Sequence, residues 1–442
     1  MSMPPTQQPE NETAVTVSQL GGGRSQAPIE LRFGPGQFPG MWRPIQSALW
    51  VIHVAFGTVS LILILAILAA IPGLNILTLG YLVEPQRRVA LSGRLRDGFP
   101  MLALAPRLGM IVFVSGLLLI PVGIQAARVS DASVILGAAS DVVRGMSLNL
   151  RRLEWLTATA ILLYIASTFH AAGKQAADLN SAPSAFRRTV RWFTRGRFIT
   201  WIFRPLTDIV RLVWRLRRRE GWTELMDGIE NVLNLVQPVQ HLWLGFKAFF
   251  GAVLWLLIPT GLVVAYSSPG RTEPIFGILS FLGVLLLIPV TAWLPQLQVH
   301  QAVTGKFRSI FSISAARRII RNAPFSWMMT TILLFVMTFP LYLAKIRLPP
   351  ADAMWLITPF FIVLTYPTRI LVAWAYHRGT FKFEEKANFF LRWGCRLVML
   401  PLLFLHAGFV FFTPAISELG KNAPLEHQAF LGPVPYSQWG RR

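Results

Sequence analysis

Acidic residues are scarce in this chain, and cysteine is nearly absent. The 442 residues carry 20 Asp and Glu against 42 Lys and Arg, and Cys395 is the only cysteine. One thiol excludes an internal disulfide and a cysteine-based metal centre, and its apolar surroundings make it an inert small residue. Charged residues amount to 14%, where a soluble domain carries about 25%. Enzyme signatures are missing too. The sequence contains no His-Glu-x-x-His, no Gly-x-Ser-x-Gly and no Gly-x-x-x-x-Gly-Lys-Ser/Thr, and no two of its seven histidines stand at i,i+4 spacing. No catalytic residue, cofactor or metal is therefore expected.

In place of charge there are long apolar runs. Residues 45–83 form 39 consecutive positions without Asp, Glu, Lys or Arg, and about 20 apolar residues suffice to cross a bilayer. Hydropathy places eight spans, at 47–71, 108–126, 153–172, 242–267, 275–297, 325–344, 353–375 and 397–417. The expected fold class is all-α: a polytopic transmembrane helix bundle with amphipathic cytoplasmic connector helices. The first run is too long for a signal peptide and reads as a retained span. Residues 1–44 are rich in Pro, Gln, Gly and Ser and are expected to be disordered. The membrane domain then divides into 45–173 and 242–417 around a basic insert at 174–241, and 418–442 form a polar tail.

A formal net charge of +22 would point to nucleic acid in a soluble protein. In a membrane protein it is the signature of cationic cytoplasmic loops, so an anionic phospholipid bilayer is the expected partner and nucleic acid is not. With eight spans, 29 of the 42 basic residues fall on one side. That side is cytoplasmic by the positive-inside rule, which leaves both termini outside the cytoplasm of a bacterial inner membrane. The four arginines of 128–152 run against this rule.

Proline marks seven of the eight spans and reads as kinked structural helices rather than broken ones. The Asp and Glu residues all avoid the cores of the spans, which counts against a carrier coupled to a buried carboxylate. Lys247 and Arg369 stand near cytoplasmic boundaries, where long side chains snorkel. His406, near the middle of the last span, is the best-placed intramembrane polar candidate, although a lone histidine there is more often bonded to a neighbouring helix than catalytic.

The insert holds two amphipathic patterns. In the first, Arg204, Arg211, Arg215, Arg218 and Arg219 oppose an apolar stripe from Leu206 to Leu216. In the second, Trp222, Leu225, Met226, Ile229, Val232, Leu233 and Val236 recur at helical spacing until Gln237-Pro238. Connector helices on the bilayer surface are one reading, with the arginines on anionic lipid. A docking surface for a protein partner is the other.

Two segments resemble one another. Residues 86–99 and 298–311 share Gln86/Gln298, Ala90/Ala302, Gly93/Gly305, Arg96/Arg308 and Phe99/Phe311. Ser92/Thr304, Arg94/Lys306 and Leu95/Phe307 are conservative exchanges. A parallel duplication is the simplest account, with chance similarity between two basic loops its rival. Duplication predicts that 47–125 and 275–344 superpose as hairpins, with Gly93 and Gly305 at equivalent helix ends. Leu79-Gly80-Tyr81-Leu82 with Arg87 and Arg88, and later Gly305, Phe307, Phe311 and Ile319-Ile320-Arg321-Asn322, resemble an uncharacterised prokaryotic family of membrane proteins known only as a domain of unknown function. The resemblance implies hairpins flanked by short cytoplasmic helices and no activity. The chain departs from the family in its basic insert and in lacking an acidic, Trp-bearing stretch before the second span. Two functional classes follow: a non-enzymatic envelope or scaffold protein with a basic cytoplasmic surface, or a permease for a small or lipidic solute.

Overall fold

The computed structural model describes residues 44–179, 216–265, 274–346, 354–382 and 386–416, with 210, 213 and 214 and without 72, 101, 103, 104 and 138. Eleven α-helices lie among them: α1 Pro44–Ala70, α2 Leu74–Ser92, α3 Ala105–Leu136, α4 Asp141–Leu179, α5 Arg219–Val236, α6 Pro238–Ala265, α7 Pro274–Thr304, α8 Ile313–Asn322, α9 Pro324–Ile346, α10 Met354–His377 and α11 Phe389–Ile416. No strand occurs among the described residues. Seven helical segments are long and apolar enough to cross a membrane. They correspond to every expected span except 153–172, which lies inside α4. The count of eight is corrected to seven by that criterion. Glu154, four threonines and serines, and the flanking Arg151 and Arg152 dilute the apolar stretch.

The larger correction concerns residues 74–92. The long uncharged run is not one span leading into a loop. It breaks at Gly73, whose φ of 83° is left-handed, and α2 turns back along α1. The Thr78 hydroxyl donates to the Leu65 carbonyl at 3.5 Å, which a straight continuation would place far out of reach. α2 then packs between α1, α6, α7 and α10 at the centre of the bundle. Its buried residues run from Asn75 to Ala90 and cover most of its circumference.

Small residues permit this crowding. A Cβ on Gly80 would collide with the His241 carbonyl, and one on Gly245 with the Ile76 carbonyl, so α2 and α6 meet backbone to backbone. The prolines at 85, 121, 259, 289, 295, 340, 359 and 367 all sit inside continuous helices, as kinked structural helices require.

The second pattern of the insert forms α5, which packs on α4 through Leu225 and Val232. It ends at Gln237, the one non-glycine residue with positive φ among those described (φ 46°), whose N–H bonds the Leu233 carbonyl at 2.7 Å. Trp222, Met226 and Leu233 of the expected stripe remain exposed. Arg204, Arg211 and Arg215 lie outside the described residues, as do the two tails. Arg218 is exposed just before α5, and Arg219 is its first residue.

Candidate functional site: a buried polar cluster between two matched helix ends

The two similar segments adopt the same local backbone. α2 and α7 each end in a left-handed glycine, Gly93 at φ 70° and Gly305 at φ 69°, and each glycine N–H bonds the carbonyl four residues back at 2.8 Å. Only glycine adopts this conformation without cost, which explains its recurrence. An extended residue follows in both, Arg94 and Lys306, then a 3-10 turn, Leu95–Gly98 and Phe307–Phe311. The equivalent carbonyls of Gly98 and Ile310 each accept from an aromatic side chain: Tyr366 Oη at 2.6 Å and Trp255 Nε1 at 3.0 Å. Basic side chains cover both ends. His377 Nδ1 lies 2.9 Å from the Ala90 carbonyl, and Lys247 Nζ donates to Gly305 at 2.8 Å.

The match stops upstream. Residues 274–304 form one continuous helix, whereas the matching stretch before Ser92 is divided between α1 and α2 at Gly73. The expected superposition of whole hairpins therefore does not extend across the break. The shared unit is the helix end with its turn.

Within that unit Gln86 and Gln298 are equivalent, and both are 2% exposed. They line one enclosed cavity of about 20 Å³ with Pro295, Leu334, Thr338, Thr365, Arg369 and Val372. Four helices contribute: α2, α7, α9 and α10. Arg369 is 8% exposed. Its Nη1 donates to Gln86 Oε1 at 3.4 Å, while Gln86 Nε2 donates to the Arg369 carbonyl at 3.3 Å. The expectation that Arg369 snorkels is thus corrected. It lies midway along the candidate span Ile357–Lys382, and α2 and α7 stand where it would need water. Thr338 and Thr365 give their protons to the Leu334 and Phe361 carbonyls, at 2.8 and 2.9 Å. No carboxylate belongs to the lining.

His406 is not part of this cluster. Its ring stacks on Phe335 of α9, centroids 4.4 Å apart and planes 14° apart, and it holds α11 against α9. Cys395 is buried beside Met399 in the same packing layer. Among the described residues no group of His, Cys, Asp and Glu is placed to hold a metal. A second, open groove of about 870 Å³ runs between α9 and α11, lined by Phe325, Met328, Phe389, Phe390 and Val398 among others, and its walls are apolar.

Near the α2–α6 contact, Tyr81 stacks on His241 with centroids 4.3 Å apart and donates to the Val236 carbonyl at 2.9 Å. Burial pushes the Tyr81 phenol above its ordinary value of 10.0, so it stays a hydrogen-bond donor throughout the neutral range.

These features define a polytopic α-helical membrane protein whose centre is polar and enclosed. Comparisons with protein-family models, curated proteins and solved structures found no match for the chain.

The cluster was only half legible beforehand. Gln86 and Gln298 stand out as identities between the two segments, and Arg369 as a charge inside an apolar run. Their meeting was hidden because α2 was read as the start of a loop, and a loop glutamine has no reason to face a span.

Proposed function

We propose that the protein is a permease for a small solute, with the Gln86–Gln298–Arg369 cavity as its binding point. The observation that supports this is an arginine buried midway along a candidate span, in a cavity shared by four helices. Charge at that depth is costly, and where it occurs in membrane proteins it marks pathways and binding sites. The matched helix ends supply the pseudo-symmetric frame that such proteins build around a central site, and a duplication accounts for them. Scarcity of polar residues within the spans favours a scaffold. The burial of Gln86, Gln296, Gln298, Gln301 and Arg369 together moves the balance toward transport.

The test is accessibility. In a Cys395→Ser background, single cysteines at Thr338 and Thr365 should react with a small membrane-impermeant thiol reagent in native vesicles. Uptake by proteoliposomes should fall to the protein-free level in Arg369→Gln. Cysteines that stay unreactive from both faces would remove the permease reading.

One observation favours the scaffold as the second reading. α8 buries Ala315, Ala316, Ile319 and Ile320 and exposes Arg317 and Arg318 on its other side. A basic helix of this kind suits anionic headgroups, at about 1 kcal/mol per charge near the surface. The expected lipid site at Arg204, Arg211, Arg215, Arg218 and Arg219 belongs to this reading, as does a protein partner at the insert.

Orientation is a further part of the proposal. α3 and α4 form a hairpin, so if α3 crosses the bilayer, α4 returns alongside it despite its lower apolarity. That gives eight crossings, with both termini outside the cytoplasm. A reporter active only outside should work after Arg442 and fail within 211–219. Activity at only one of the two termini would set the number of crossings at seven.

A further inference from the structure

We propose that the central cavity binds a small monovalent anion, of the size of chloride or formate, through the Arg369 guanidinium and the paired carboxamides of Gln86 and Gln298. The inference rests on the reading of this cavity as the solute site and adds the chemical class of the ligand.

Three observations carry it. The first is charge. Arg369 is buried, and an arginine keeps its charge in proteins. The cavity lining contains no carboxylate, so within the lining only carboxamide and hydroxyl dipoles face the guanidinium. A bound anion offsets a buried positive charge far better than such dipoles do.

The second is donor geometry. A guanidinium has five N–H donors, and the contact printed between Arg369 Nη1 and Gln86 is long at 3.4 Å. The Gln86 carboxamide gives one N–H to the Arg369 carbonyl and retains a second. Gln298 brings an equivalent carboxamide from the matched position on α7. Thr338 and Thr365 bond their own helices, and rotation about one bond turns each hydroxyl proton toward the cavity.

The third is size. A cavity of about 20 Å³ accommodates one occupant of water-like dimensions. Sulfate, phosphate and gluconate are too large for it without rearrangement of four packed helices. Leu334, Val372 and Pro295 close the remaining wall and keep the site out of bulk water, where a monovalent anion would gain little from one arginine.

Duplication also yields a sharper test than removal of the arginine. A carboxylate placed at either glutamine becomes a built-in counter-ion for Arg369 and competes with any added anion. Because Gln86 and Gln298 are equivalent, both exchanges should act alike.

The experiment uses the full chain in nanodiscs of neutral phosphatidylcholine, with gluconate as the reference salt at constant ionic strength. Thermal melting is followed as chloride, bromide, formate or sulfate replaces gluconate, and radiochloride binding is measured by equilibrium dialysis. The wild type should show a saturable rise in melting temperature with chloride, bromide and formate and none with sulfate. Arg369→Gln should lose about ten- to a hundredfold in affinity, the range for hydrogen bonds to a charged group. Gln86→Glu and Gln298→Glu should abolish the anion response while melting in gluconate at or above the wild-type temperature. If Arg369→Gln does not fold, the two glutamate variants and direct radiochloride binding decide the matter.

Absence of an anion response in the wild type, or an equal response in Gln298→Glu, would overturn the proposal and leave Arg369 a structural staple between α2 and α10. The two readings fail separately. Anion binding without uptake removes the permease and keeps this site. Uptake of an uncharged solute without any anion response removes this site and keeps the permease.

Discussion

α2 and α3 follow one another in the chain and meet opposite fates. α3 contains one of the most apolar stretches of the protein, and none of that stretch is buried inside it. Phe113, Leu117, Leu119, Ile120 and Ile124 are all exposed. α2 carries Asn75, Thr78, Gln86 and three charged residues, is too polar to qualify as a span, and is buried on nearly every side. In a soluble protein the more apolar helix would occupy the core. Here the solvent is hydrocarbon, so the most apolar surface faces outward, and polar side chains withdraw to the interior where other helices satisfy them. Close approach of helices then depends on small residues and hydrogen bonds, since burial from lipid adds no hydrophobic gain.

Glycines give the strongest way to break the contrast. Gly80→Ala and Gly245→Ala should each destabilise the protein by about 3 kcal/mol, because the added methyl drives α2 and α6 apart at carbonyl contact. Gly116→Ala and Gly123→Ala in α3 meet nothing within 4 Å and should be neutral or stabilising, by at most about 1 kcal/mol. Melting of the four variants in one lipid checks this. Comparable losses in both helices would mean that α3 is packed against something in the membrane.

The matched caps sharpen the comparison at smaller scale. Gly93→Ala and Gly305→Ala share the left-handed strain, about 1 kcal/mol or slightly more. A methyl at Gly93 also meets the His377 ring, whereas at Gly305 it meets nothing. The Gly93 variant should therefore melt lower, and His377→Ala should bring the two together.

The smallest effect concerns Tyr81. Tyr81→Phe removes a hydrogen bond to Val236 and should cost about 1 kcal/mol at neutral pH. Since its folded value is raised above 10.0, the folded state holds its proton where the unfolded state releases it. Wild-type stability is thus complete below pH 10 and declines above it, and the decline should be shallower in Tyr81→Phe. An unchanged alkaline slope would assign that decline to other groups.

The sequence by itself determined the solvent of this protein, its helical class, all seven apolar crossings, the end of α5 at Gln237 and the glycine caps at 93 and 305. Each of these rests on local chemistry: hydropathy over about 20 residues, the fixed φ demands of a cap, or the inability of proline to continue a helix unaided. Tertiary structure alone decided that α2 turns back at Gly73 into the centre, that Arg369 is enclosed instead of snorkelling, and that His406 is a stacking residue. It also decided that Gln86 and Gln298, 212 positions apart, line one cavity. Composition reports how much polar surface a helix carries. Which neighbour covers that surface depends on contacts between distant segments, and no local pattern encodes them.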